Sequence, residues 1–154
     1  YAKKEIYPKL RTVKFNFYLH RKGMVKDTIH TTTVDSTYAR GLQALADMDY
    51  HTAIALLGPY EDYNAAVAFV GLDRNLTALQ ILEPIKPDER TPQVNYILAI
   101  IYSRIGRVQD AVQCYLNSVE QDYSYRHRGN LDPEISVLIK QYELFKEEEE
   151  IEYW

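Results

Sequence analysis

The stretch PQVNYILAIIYSRIGRVQDAVQCYLNSVEQDY, residues 92–123, decides the reading of this chain. It scans as two helices, about 92–105 and 108–121, separated at Gly106, where glycine can end one helix and turn the chain into the next. Within it Leu98 and Ala99 set a large residue beside a small one, Tyr102 follows one turn later, and Ala111 and Tyr115 stand in the second helix. Small residues at Ala99 and Ala111 let two crossing backbones approach closely, so the segment reads as an antiparallel helix pair.

Working outward, the same spacing recurs upstream. Gly41 and Ala53 are twelve residues apart, as are Ala66 and Ala78, and as are Ala99 and Ala111. The interval between units is uneven, 25 residues from Gly41 to Ala66 and 33 from Ala66 to Ala99, which makes the helix over about 50–57 short. Asp35 or Ser36 is placed to cap a first helix carrying Tyr38, Leu42 and Leu45, with a break near Asp47-Met48-Asp49. Gly58-Pro59 stops the second helix, because proline cannot continue one. Further helices are expected at about 61–71 and 75–83, divided at Asp73-Arg74, and a proline-bearing stretch, Pro84 to Pro92, leads into the decisive segment. Asp132-Pro133 opens a last helix, expected over 132–145, with Ile135, Leu138, Ile139 and Tyr142 on one face.

Residues 1–34 have a different rhythm. Val13, Phe15, Phe17 and Leu19 alternate with polar residues, as in a half-buried strand, and the threonine-rich run Val25 to Val34 can return as its hairpin partner after a turn at Arg21-Lys22-Gly23. Two strands alone are marginal in water, so this segment is expected to be the remnant of a sheet whose other strands lie upstream. The chain opening at Tyr1 agrees with that expectation. The expected organisation is a strand segment over 1–34, a helical domain over 35–145 and an acidic tail over 146–154.

The segment 92–123 resembles a tetratricopeptide repeat, a unit of about 34 residues built from paired antiparallel helices. The resemblance implies a mainly α fold: a right-handed array of about three helix pairs, with helix 132–145 as its capping helix. A narrower resemblance joins Tyr7-Pro8-Lys9-Leu10-Arg11-Thr12-Val13, the short repeats that follow, and His127-Arg128-Gly129-Asn130-Leu131-Asp132-Pro133-Glu134. Together these look like the C-terminal part of large cell-envelope proteins of Bacteroides-type bacteria. In that family the upstream part resembles the outer-membrane-protein-A-like, peptidoglycan-associating domain, which implies a place in the bacterial cell envelope and a contact between this chain and its own upstream domain.

Composition narrows the function. The 154 residues carry 18 Lys plus Arg against 22 Asp plus Glu, a formal charge of −4, so no broad positive field favours nucleic acid as partner. No apolar run reaches the roughly 18 residues of a membrane helix, so direct membrane insertion is not expected. One cysteine, Cys114, excludes an internal disulfide and any cysteine-rich zinc site. It sits mid-helix and reads as a buried, inert thiol. His20, His30, His51 and His127 are scattered, the six glycines form no phosphate-binding loop, and no nucleophile stands near a base. No catalytic residue, metal ligand or cofactor is expected.

Fourteen tyrosines are the strongest functional feature, and Tyr38, Tyr63 and Tyr96 share one position of the three units. The resemblance points that position into a concave groove, completed by Tyr60, Asn64, Gln93, Ile97, Ile100 and Arg104. Such a ladder of amphipathic rings could grip an extended peptide. The same recurrence also arises when aromatic residues pack helix on helix, and both readings stand at this stage. A related subtype holds a peptide's terminal carboxylate with Lys, Asn and Arg; here Tyr38, Leu42, Asn64, Gln93 and Ile97 stand at those positions, and only Asn64 fits. Arg126-His127-Arg128 reads as a solvated loop, Glu147 to Glu150 as a self-repelling tail ending in Tyr153-Trp154. Asp27-Thr28-Ile29 and Asp35-Ser36-Thr37 resemble the O-glycan acceptor pattern of Bacteroides-type envelope proteins, although capping alone explains Asp35 and Ser36. The expected function is a non-catalytic module that binds a protein or peptide segment. The alternative is a structural spacer or assembly domain of a surface protein with no separate ligand.

Overall fold

The computed structural model describes residues 12–19 and 27–146, with side chains from Asp35 onward. The expected turn at Arg21–Gly23, the opening Tyr7–Arg11, His20, and the tail from Glu147 through Tyr153 and Trp154 lie outside the described residues, as do the side chains of His30 and Asp27-Thr28-Ile29. Strand β1 (Thr12–Leu19) pairs antiparallel with β2 (Asp27–Val34), Phe15 opposite Thr31 and Phe17 opposite Ile29.

The rest is helical: α1 (Ser36–Ala46), α2 (Tyr50–Leu57), α3 (Tyr63–Gly71), α4 (Asn75–Leu82), α5 (Pro92–Arg104), α6 (Val108–Gln121), α7 (Ser124–Leu131) and α8 (Pro133–Gln141). Side-chain oxygens cap five of these. Asp35, Asp49, Asp62, Thr91 and Asp132 each accept a backbone N–H from the first turn of α1, α2, α3, α5 and α8 respectively. Pro92 and Pro133 occupy the first turn, where a missing N–H costs nothing. Helices α1, α3 and α5 are followed by left-handed residues, Met48, Asp73 and Gly106, with φ of 58°, 58° and 83°.

Helices pack on their neighbours in sequence, most closely α1 on α2, α3 on α4 and α5 on α6, with further contacts of α2 on α3 and α4 on α5. The close approaches fall at the small residues. A Cβ on Gly41 would lie 2.6 Å from Leu57 Cγ, and Ala53, Ala66, Ala78, Ala99 and Ala111 are all fully buried. One core joins Tyr38, Ala53, Leu57 and Ala65; a larger one runs from Ala66 through Leu98, Ile101 and Tyr115 to Ile135, and Ile81 packs against both.

Three local expectations need correction. Arg126-His127-Arg128 is not a loop: it lies in α7, whose polar sequence is held helical by docking, with Tyr125 buried and Gly129 under the Tyr115 ring. Helix α8 ends at Gln141, and Tyr142 is 46% exposed rather than part of its buried face. Left-handed Glu143 and Phe145 turn the chain back so that Phe145 packs edge-on against Tyr115. Finally, α3 begins at Tyr63 instead of 61, because Gly58–Tyr60 forms a single 3₁₀ turn and left-handed Glu61 must reset the chain before Asp62 can cap.

Candidate functional site

Arg104 ends α5 and is the best-connected charged side chain among the described residues. Its Nε and Nη2 donate to Glu134 of α8, at 2.9 and 2.7 Å, in a fork that suits a guanidinium and a carboxylate. Its Nη1 donates to the Val70 carbonyl at 3.0 Å and to Asn75 Oδ1 at 3.3 Å, and Asp73 Oδ1 lies 3.5 Å away. The end of α3, the start of α4, α5 and α8 thus meet on one cation. The hydrogen bonds that the guanidinium donates to Glu134 raise it above its already high ordinary range, against the opposing effect of burial, so the charge is permanent.

Around this junction opens a cleft of about 670 Å³, lined by Tyr50, Val67, Val70, Gly71, Asp73, Asn75, Arg104 and Glu134. Gly71 is required there, since a Cβ would overlap the Tyr50 ring. The lining is mixed: two valines and a tyrosine together with the Arg104 network.

The chain matches no family model, no curated protein and no solved structure.

Of the residues singled out from sequence, only Arg104 lines this cleft. Tyr38 and Tyr96, expected as rungs of an open ladder, are 0% and 2% exposed, which corrects that expectation. Their hydroxyls are spent internally. Tyr38 Oη donates to Asp62 Oδ2 and accepts from Asn64 Nδ2 at 2.8 Å, while Tyr60 Oη donates to Asp35 Oδ2 at 2.5 Å and its ring stands edge-on to Tyr38. Tyr96 Oη donates to Asp132 Oδ2 at 2.9 Å, its ring between Tyr115 and Tyr125 with the Arg128 guanidinium above. In both cases a tyrosine from one helix grips the carboxylate that caps a later one. Tyr63, Gln93 and Ile97 are half-buried, and Ile100 belongs to the core.

Cys114 is buried, and burial pushes its thiol up, away from the thiolate. His51 and His127 stand exposed on α2 and α7. Among the described residues no group of three or more His, Cys, Asp or Glu is placed to hold a metal ion. No described helix is long and apolar enough to cross a membrane.

Burial also raises the phenols: Tyr96 goes well above the usual range, helped by Asp132, and Tyr115 is pushed up to about 12. In the unfolded chain both ionise near pH 10. Their stabilisation is therefore complete below pH 10 and falls as pH rises further, by about 1.4 kcal/mol per pH unit for each, with the Tyr115 share exhausted near its folded pKa. Denaturant titrations at increasing pH, read beside phenolate absorbance, should show a steep loss of stability above pH 10; a flat profile would mean that the rings are solvated.

Proposed function

We propose that the chain is a right-handed helical-repeat array of three helix pairs with a capping helix, following a strand segment left by an upstream domain, and that it is a non-catalytic protein–protein interaction module. Its ligand is a peptide or protein segment, and its setting is a larger cell-envelope protein of the Bacteroides type. The observation that carries the reading is the 670 Å³ cleft, formed where ends of α3, α4, α5 and α8 converge and fixed by Arg104. A surface assembled from several packed helices is pre-organised and loses little conformational freedom on binding.

This relocates the binding surface from the tyrosine position to the cleft. The internal use of the Tyr38 and Tyr96 hydroxyls favours the spacer reading for the rest of that face, since those rings offer a partner no polar contact.

Short random peptides displayed on phage and selected on the native chain test the reading. Selected peptides should lose about tenfold or more in affinity for Val67→Trp, which fills the cleft with an indole, while circular dichroism stays helical. Peptide-induced amide shifts in the native chain should cluster at Val67, Val70 and Asn75. Failure to select any peptide, or shifts confined to another face, would leave the spacer reading in possession.

A further inference from the structure

Resting on the cleft as the binding site, we propose that it receives a cationic side chain, arginine or lysine, from a basic segment of a partner protein. Arg104 cannot serve an anionic ligand without abandoning its present partners. Its Nε and Nη2 are turned to Glu134 and its Nη1 to Val70 and Asn75. What the cleft leaves toward solvent is acceptor capacity. The Asp73 side chain is 81% exposed, and only its Oδ1 is engaged, by Arg104 and by Asn75 Nδ2 at 2.7 Å. The Glu134 side chain is 38% exposed. Two carboxylates against one arginine leave the lining with a charge of −1.

The backbone has the same sign there: helix α3 ends at Gly71 in the cleft lining, which sets the negative end of its dipole beside this space, with the Val70 carbonyl already accepting from Arg104. The same lining includes the Tyr50 ring, to which a cation is attracted, and Val67 and Val70, against which the methylene stem of an arginine or lysine can lie. The lining thus offers surface to an apolar stem as well as to a positive head.

The peptide selection decides this with one added variant, Asp73→Asn, which keeps shape and tolerates the left-handed backbone of that position. The selected peptides should share an arginine or lysine at one position, bind more weakly as salt rises, and lose about threefold to fivefold in affinity for Asp73→Asn, as expected for an exposed ion pair. Replacing the shared residue by glutamine should abolish measurable binding. Peptides that Val67→Trp displaces but that are neutral or acidic would overturn the cation assignment and leave the cleft as the site. Peptides indifferent to Val67→Trp, with amide shifts elsewhere, or no peptide at all, would overturn both.

Discussion

Tyr115→Ala should lower the unfolding free energy by about 3–5 kcal/mol, the range for deleting a large aromatic ring that cannot be replaced by collapse. The ring is 0% exposed, packs edge-on with Tyr96 and Phe145, and donates through Oη to the Tyr125 carbonyl at 3.3 Å. Its removal also takes away the surface on which α7 closes, so chemical denaturation should reveal a loss of α7 and α8 before the rest. A gentler probe isolates the contact. A methyl at Gly129 would overlap Tyr115 Oη and lie 2.7 Å from Cζ, so Gly129→Ala should cost about 1–3 kcal/mol through overpacking. In a Tyr115→Phe background the cost should shrink but not vanish, because the hydroxyl clash is gone while the Cζ contact remains. Equal costs in both backgrounds would show that α7 yields by shifting away.

Tyr38→Phe and Tyr96→Phe should each cost about 1.5–3 kcal/mol, the scale of a hydrogen bond to a charged group, although neither change removes apolar area. Tyr38→Phe strips Asp62 of a donor and Asn64 of an acceptor in a single step, so it should be the larger of the two. A double-mutant cycle of Tyr38→Phe with Asp62→Asn should return a coupling above about 0.5 kcal/mol. Additive losses would mean that the two groups meet without stabilising each other. Far-ultraviolet dichroism should be unchanged in all of these variants, which separates a lost contact from a lost helix.

The boundaries of the helices were legible because they are written in local chemistry. Asp35, Asp132-Pro133, Gly58-Pro59 and Gly106 all act where their neighbours in sequence place them. Helix α7 was not legible, since SYRHRGNL has neither an apolar stripe nor a side-chain cap, and its docking through Tyr125 on Tyr96 and through Gly129 on Tyr115 leaves no mark in the local sequence. The breaks at Asp47-Met48-Asp49 and Asp73-Arg74 were legible as well, whereas the reset at Glu61 was obscured, because left-handed geometry there is carried by a residue other than glycine. The site divides in the same way. Arg104 could be singled out from its place in the repeat, but Glu134 is 30 residues away and Val70 takes part through its backbone, and neither leaves a mark in sequence. The recurrence of Tyr38 and Tyr96 was visible while its meaning was not. A period reports that a position matters in each unit, and only the neighbours Asp62 and Asp132 show that it matters inward.

Those two neighbours carry a consequence for how the chain assembles. A capping carboxylate is ordinarily a local signal, telling a helix where to start whatever else has formed. Here Asp62 and Asp132 are each shared between the helix that they begin and a tyrosine on an earlier one. Nucleating α3 or α8 is therefore favoured once α1 or α5 is in place, and by reciprocity the earlier helix is favoured by the later one. Each of these pairs of helices then gains by forming together. A chain emerging N-terminus first from the ribosome presents α1 and α5 before the helices with which they share those carboxylates.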